Sequence, residues 1–182
     1  MQKIILISLV LSSALLATEP KVYVNMSQSL LTHSDNGTVS DFELTGFKWT
    51  AGYVVQEFGS VEIALEGSAM LGVNNDSKAS VTSASRGTFS NAQEILEKLY
   101  NVNLKMMIPI VQNLSVNTYL GASRAKVLST ATNYKSNKAW YNGISYGAGL
   151  EYNVLPDVSV HLNYMQYFKN LNGVEFGLGF QF

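Results

Sequence analysis

Eight stretches of this chain alternate apolar and polar residues at every second position. That period admits a β-strand with two unlike faces and rejects a helix. Val22, Val24 and Met26 lie on one side of the first stretch, with Tyr23, Asn25, Ser27 and Ser29 on the other. Phe47, Trp49, Ala51, Tyr53 and Val55 oppose Gly46, Lys48, Thr50 and Gly52. Val61, Ile63, Leu65, Ala69 and Leu71 oppose Glu62, Ala64, Glu66 and Ser68. The pattern returns at Tyr100–Ile108, Leu114–Ser123, Gly143–Tyr152, Val158–Met165 and Val174–Phe182.

The connections also alternate. Residues 56–59, 109–113 and 153–157 are short enough for turns, whereas 32–42, 74–93 and 126–139 are long, polar loops, with a shorter one at 168–173. Short turns on one rim and long loops on the other predict an eight-stranded antiparallel up-and-down transmembrane β-barrel, both mature termini at the short-turn (periplasmic) rim. Residues 91–99 admit two readings. Asn91 and Glu94 form a capping pattern with Ile95, Leu96 and Leu99 at helical spacing, and the same stretch also reads as an early start of the fourth strand.

Alternation does not say which face is inside; size and charge do. An eight-stranded ring has an interior only wide enough for side chains to fill. The polar face is rich in Gly, Ser, Ala and Asn, which fit, and the other face carries bulky Leu, Val, Ile, Phe and Tyr, which would overfill it. Charged residues make up only 14% of the chain, too few for a water-exposed outer wall. The apolar face is therefore predicted to meet lipid. Phe47, Trp49, Tyr100, Trp140 and Phe176 are placed toward the loop rim, and Tyr53, Phe58, Tyr152, Phe180 and Phe182 toward the turn rim, as two aromatic girdles.

Both chain ends carry addresses. Lys3, the apolar run from Ile4 and small residues up to Ala17 read as a secretory leader over 1–17, leaving 18–182 as the barrel domain. At the other end stands Glu175-Phe176-Gly177-Leu178-Gly179-Phe180-Gln181-Phe182. Its Glu175, Gly177, Phe180 and Phe182 resemble the C-terminal assembly signal of Gram-negative outer-membrane proteins. The stretch from Tyr146 to Val160, a Gly-rich strand, a Pro-Asp turn and an alternating strand, resembles small OmpA-like and OmpX-like barrels. That resemblance implies a cell outer membrane location, contact with lipid and lipopolysaccharide, and insertion by the barrel assembly machinery. It leaves the function open among adhesins, serum-resistance factors, small channels and structural anchors.

Residues able to carry chemistry are few. Seven ionisable side chains fall on the inner face: Lys48, Glu62, Glu66, Lys105, Glu151, His161 and Glu175. Lone charges in a narrow lumen are costly, so pairing is expected: Lys48 with Glu66, Lys105 with Glu62, and His161 near Glu151. Such a network either plugs the lumen or conducts ions by pair exchange. His33, placed in a loop beside Asp35, and His161 offer little to an enzyme, which would need His, Ser and a carboxylate together. No catalytic residue, metal site or cofactor is expected. The 12 Lys and Arg against 13 Asp and Glu provide no basic face for nucleic acid, and cysteine is absent. Lys126, Lys135 and Lys138 bias the third loop toward lipopolysaccharide phosphates. The preferred role is structural or surface-interacting, through loops that meet a host or envelope ligand. A small low-conductance porin is the alternative, and a lipid-modifying enzyme the third.

Overall fold

The computed structural model describes residues 21–34, 41–83, 87–132 and 134–182. The expected leader over 1–17, Asp35 and the tips of three hairpins lie outside the described residues. The strands are β1 (Val22–Ser34), β2 (Asp41–Phe58), β3 (Val61–Gly72), β4 (Asn75–Ser83), β5 (Gly87–Val111), β6 (Leu114–Thr132), β7 (Tyr134–Leu155), β8 (Val158–Phe168) and β9 (Leu171–Gln181). All pairings are antiparallel. Because β1 pairs with both β2 and β9, and β3 pairs with β5, eight strands close into a ring that omits β4. The expected up-and-down barrel is present, with a ninth strand added: β4 pairs only with the outward extension of β5.

Register sets the tilt. Directly opposed residues lead from Tyr152 through Val160, Leu178, Met26, Trp49, Ala69, Tyr100 and Arg124 back to β7 at Asn142, ten residues from the start. A stagger of that size over eight strands requires an inclination of roughly 35–45°. Height therefore slides by a little over one residue per strand. On that scale Tyr53, Tyr152 and Phe180 gather at the turn end, and Tyr100 and Trp140 mark the hairpin end. Trp49 and Phe176, expected at the hairpin end, sit at mid-wall.

The polar stretches read as loops are mostly strand. β1 and β2 continue to Ser34 and from Asp41, and β6 and β7 continue to Thr132 and from Tyr134. Their Ser, Thr, Asn and Lys residues still alternate with inward apolar ones such as Leu44 and Val127. Polar composition concealed the period. The turns contract to residues 59–60, 112–113 and 156–157, with Gly59 and Asn113 at positive φ.

Residues 91–99 are strand, not helix. The pairing with β6 slips between Leu96 and Lys98, so Glu97 is an extra residue in a β-bulge. Inward positions thus run Ala92, Glu94, Leu96 and then Leu99, Asn101, Asn103 and Lys105. A three-residue step between Leu96 and Leu99 mimics helical spacing, and a bulge produces it in a strand. Asn91, read as a helix cap, has φ of 51° at a second slip between Ser90 and Gln93.

The base of β4 is tied to β2 by side chains that replace a ladder. Glu43 N–H donates to Asp76 Oδ2 at 2.9 Å, and Thr45 N–H to Asn74 Oδ1 at 2.5 Å. Partial burial opposes the Asp76 charge, but the Glu43 N–H and Lys78 outweigh it and lower the carboxyl below its ordinary value. A depressed carboxyl stabilises the fold above the unfolded value and ceases to as pH falls through the folded one. The hydrogen-exchange protection factor of the Glu43 amide is therefore expected to hold down to about pH 4 and fall below it. In Asp76→Asn, whose carbonyl still accepts without titrating, that fall should vanish; loss of protection already near pH 6 would contradict this account.

Candidate functional site

The inward face divides into two layers. From the turn end to beyond mid-height it is polar: Asn25, Ser27, Ser29, Lys48, Thr50, Glu66, Asn101, Asn103, Lys105, Asn117, His161, Asn163 and Glu175 are all buried. Toward the hairpin end the same parity turns apolar. Leu31, Leu44, Met70, Leu96, Leu99, Ala125, Val127, Met165, Tyr167, Phe168 and Leu171 pack into one cluster, and Phe42, Val81 and Ala92 form another among the hairpins. The expectation of small hydrophilic filling throughout is corrected here. The lumen of this outer layer is closed by an apolar core like that of a water-soluble domain.

The expected ion pairs form with different partners. Lys48 is not paired with Glu66; its Nζ lies 2.5 Å from Glu175 Oε2. In the ladder Lys48 is opposite Ser27, and Ser27 is opposite Gly177. Two small residues clear a path for the ammonium to cross β1 and meet Glu175 on β9. Tyr167 donates its hydroxyl to the same carboxylate. Lys105 does not take Glu62, either. It lies opposite Ala64, midway between Glu62 and Glu66, and Glu62 is held by Lys21 at 2.5 Å at the turn rim. Glu57 is 2.8 Å from the same ammonium, and these hydrogen bonds, Glu57 first, raise the Lys21 pKa.

Lys105 Nζ instead meets Glu151 Oε2 at 2.8 Å across the lumen and Glu66 Oε1 at 3.8 Å. Glu151 also accepts from Asn117 and Ser159, at 2.7 and 2.9 Å, and Glu66 from the Tyr23 hydroxyl at 2.8 Å. His161 is directly opposite Glu151 in register, as expected, but its Nε2 contacts Ser27 Oγ at 3.2 Å. Its Nδ1 has no partner among the described residues. Apart from His161 on Ser27, the lumen residues named from the sequence fall into two groups: Lys105–Glu66–Glu151 near the turn end, and Lys48–Glu175 at mid-height. Glu62 belongs to the rim.

Sequence reasoning misplaced His33. It is fully buried at the end of β1, Nδ1 2.6 Å from Glu94 Oε2, with Tyr141 and Phe168 edge-on to its ring. The available signal was parity: Ser27, Ser29, Leu31 and His33 are steps of two on one face. Glu94 was missed because the Glu97 bulge reverses the phase between it and Lys105. Around Lys105 a cavity of about 30 Å³ opens toward the turn end, between Tyr23, Glu62, Met107 and Glu151. That is room for one or two waters.

The chain matches the model of the outer membrane protein beta-barrel domain over residues 4–182. No curated protein matches it. Among solved structures it is similar to Ail, the attachment invasion locus protein of Yersinia pestis, crystallised with the heparin analogue sucrose octasulfate. The likeness is 17% identity and TM-score 0.61 over 91% of this chain and 100% of that one. Ail in a phospholipid bilayer nanodisc gives 18% and 0.50 over 90% and 100%. A major outer membrane protein of Thermus thermophilus gives 10% and 0.57 over 90% and 100%. At these identities the structures attest the fold, and the family match carries the assignment. With a closed ring, an apolar outer wall and a match along nearly its whole length, this chain belongs to the outer membrane protein beta-barrel domain family.

Proposed function

We propose that this chain is a non-conducting barrel of the Gram-negative outer membrane that works by contact, presenting the β1–β2, β4–β5 and β6–β7 hairpins outside the cell. The observation that carries this reading is the apolar layer across the lumen at the hairpin end. The one ion pair within that layer among the described residues, His33–Glu94, is engaged internally and with Ser129, so an ion crossing it would shed its hydration with little free polar surface to replace it. Below that layer the buried lysines and glutamates are engaged with one another, and they act as a plug that fixes strand register. In this orientation the short turns and both termini are periplasmic, 1–17 is the removed leader, and the last strand carries the signal for the assembly machinery. The outer leaflet's lipopolysaccharide surrounds the hairpin rim, and a host or envelope ligand meets the hairpins. The role is not enzymatic: His33 is bonded to Glu94, and the Ser27–His161 contact is sealed inside the wall.

Planar-bilayer recording of the refolded mature chain in molar KCl tests this against the porin reading. The expected trace stays at the bilayer's own leak, for the parent and for Lys105→Met alike. Discrete ohmic steps, or steps that appear in Lys105→Met, would overturn it. Boiled and unboiled samples run side by side, with the folded form migrating differently, establish that the recorded protein is a closed barrel.

A further inference from the structure

The bulge that hid the phase of β5 has a second consequence on the outer wall. It turns two successive side chains, Glu97 and Lys98, outward at the level where the lipid-facing band ends. Lys98 is directly opposite Lys126 in the ladder, Lys126 is directly opposite Trp140, and Arg124 is opposite Tyr100 one outward position nearer mid-wall. Like charges directly opposed across strands destabilise a sheet. Here they converge on one indole: Arg124, Lys98 and Lys126 lie 4.4, 5.7 and 6.0 Å from the Trp140 ring centroid. Lys98 is also 5.9 Å from the ring of Tyr100.

Lys138 joins through Glu97, which bridges it at 2.5 Å and Lys126 at 2.7 Å. Those two lysines hold the Glu97 carboxyl down to about 2, so it remains an anion but offsets only one of four cations. A chain whose net charge is −1 thus gathers a local excess of +3 beside two half-exposed aromatic rings.

We propose that this patch is a binding site for the phosphorylated sugar headgroup of an outer-leaflet glycolipid, its phosphates on Lys98, Arg124 and Lys126. The acyl chains then descend along Tyr100 and the aliphatic wall beneath it. A lipid fits better than a free anion because the cations border the apolar band, and because Trp140 and Tyr100 face outward rather than into a cleft. The inference rests on the membrane orientation proposed above.

Trp49 sits at mid-wall and its replacement by Phe leaves Trp140 as the sole indole reporter. Trp49→Phe protein, refolded in a phosphate-free maltoside detergent, is titrated with diphosphoryl lipid A, with monophosphoryl lipid A and with inorganic pyrophosphate. A saturable Trp140 emission change is expected with the diphosphoryl lipid, weaker with the monophosphoryl form and absent with pyrophosphate at the same concentration. Each cation removed should weaken binding roughly fivefold, so Lys98→Gln with Lys126→Gln should lose on the order of 25-fold. A double variant that shows the heat-dependent mobility shift yet titrates like its parent overturns the site alone. So does pyrophosphate binding as tightly as the lipid. Absence of any mobility shift in the parent would instead overturn the barrel in which the site is built.

Discussion

Lys105→Met is expected to cost the barrel about 3–5 kcal/mol, because it leaves two carboxylates facing one another without a cation. Lys105 is only 1% exposed and supplies the sole ammonium within 4 Å of Glu66 and Glu151 among the described residues. Methionine matches the volume and deletes the charge. Urea titration of refolded protein in micelles, scored by the fraction that keeps its unboiled mobility, measures the loss. Adding Glu151→Gln should restore part of it by removing one orphaned charge. A single variant within about 1 kcal/mol of the parent would mean that the lumen tolerates free carboxylates and that the network is not what fixes register. Lys48→Met should cost less, since Glu175 keeps the Tyr167 hydroxyl as a donor.

Gly177→Val should prevent folding of most of the protein. A Cβ at this position would meet the Met26 carbonyl oxygen, the His161 ring nitrogen at 2.7 Å and the Ser27 Cα at 2.8 Å. Two of these are backbone of β1, the strand that closes the ring, so relief requires breaking the β1–β9 seam. It would also fill the gap through which Lys48 reaches Glu175. The expected result is a refolding yield in micelles reduced by tenfold or more, on the order of the larger overpacking penalties. This separates two roles for the same residue. If Gly177 matters only as part of an assembly signal, the variant refolds normally in pure detergent and fails only in cells. Phe182→Ala provides the opposite pattern. Phe182 is 79% exposed and holds β1 through its backbone, exchanging hydrogen bonds with Val22; its ring should be dispensable in vitro and needed where the assembly machinery acts.

Much of the wall was legible in the residues alone. Lys48, Glu66, Lys105, Glu151, His161 and Glu175 were all assigned inward by counting in twos, and all but the partly covered Glu151 are buried. Counting in twos works because a closed sheet has one inside and one outside, and a strand without a bulge never changes phase. It failed where a bulge intervened: Glu97 shifted the phase of β5, so Leu96 and Leu99 mimicked a helix and Glu94 was read as part of its cap rather than as an inward residue. It also faltered in the hairpins, where Ser, Thr and Asn on the water side hid inward residues such as Leu44 and Val127.

Which charge meets which was not legible. Lys105 had Glu62 and Glu66 at equal distance along β3; in the closed ring Glu62 is held by Lys21, and Lys105 reaches Glu151 across the lumen with Glu66 beside it. Lys48 and Glu175 are 127 positions apart and meet because the β1–β2 and β1–β9 registers place Lys48 and Gly177 on either side of Ser27. From sequence alone came the strand period, the greasy outer face and the inward set, all of which depend on nearest neighbours along one chain segment. The partners across the lumen, the apolar closure at one end and the cations gathered on Trp140 were settled by register around the ring, a property of all eight strands at once.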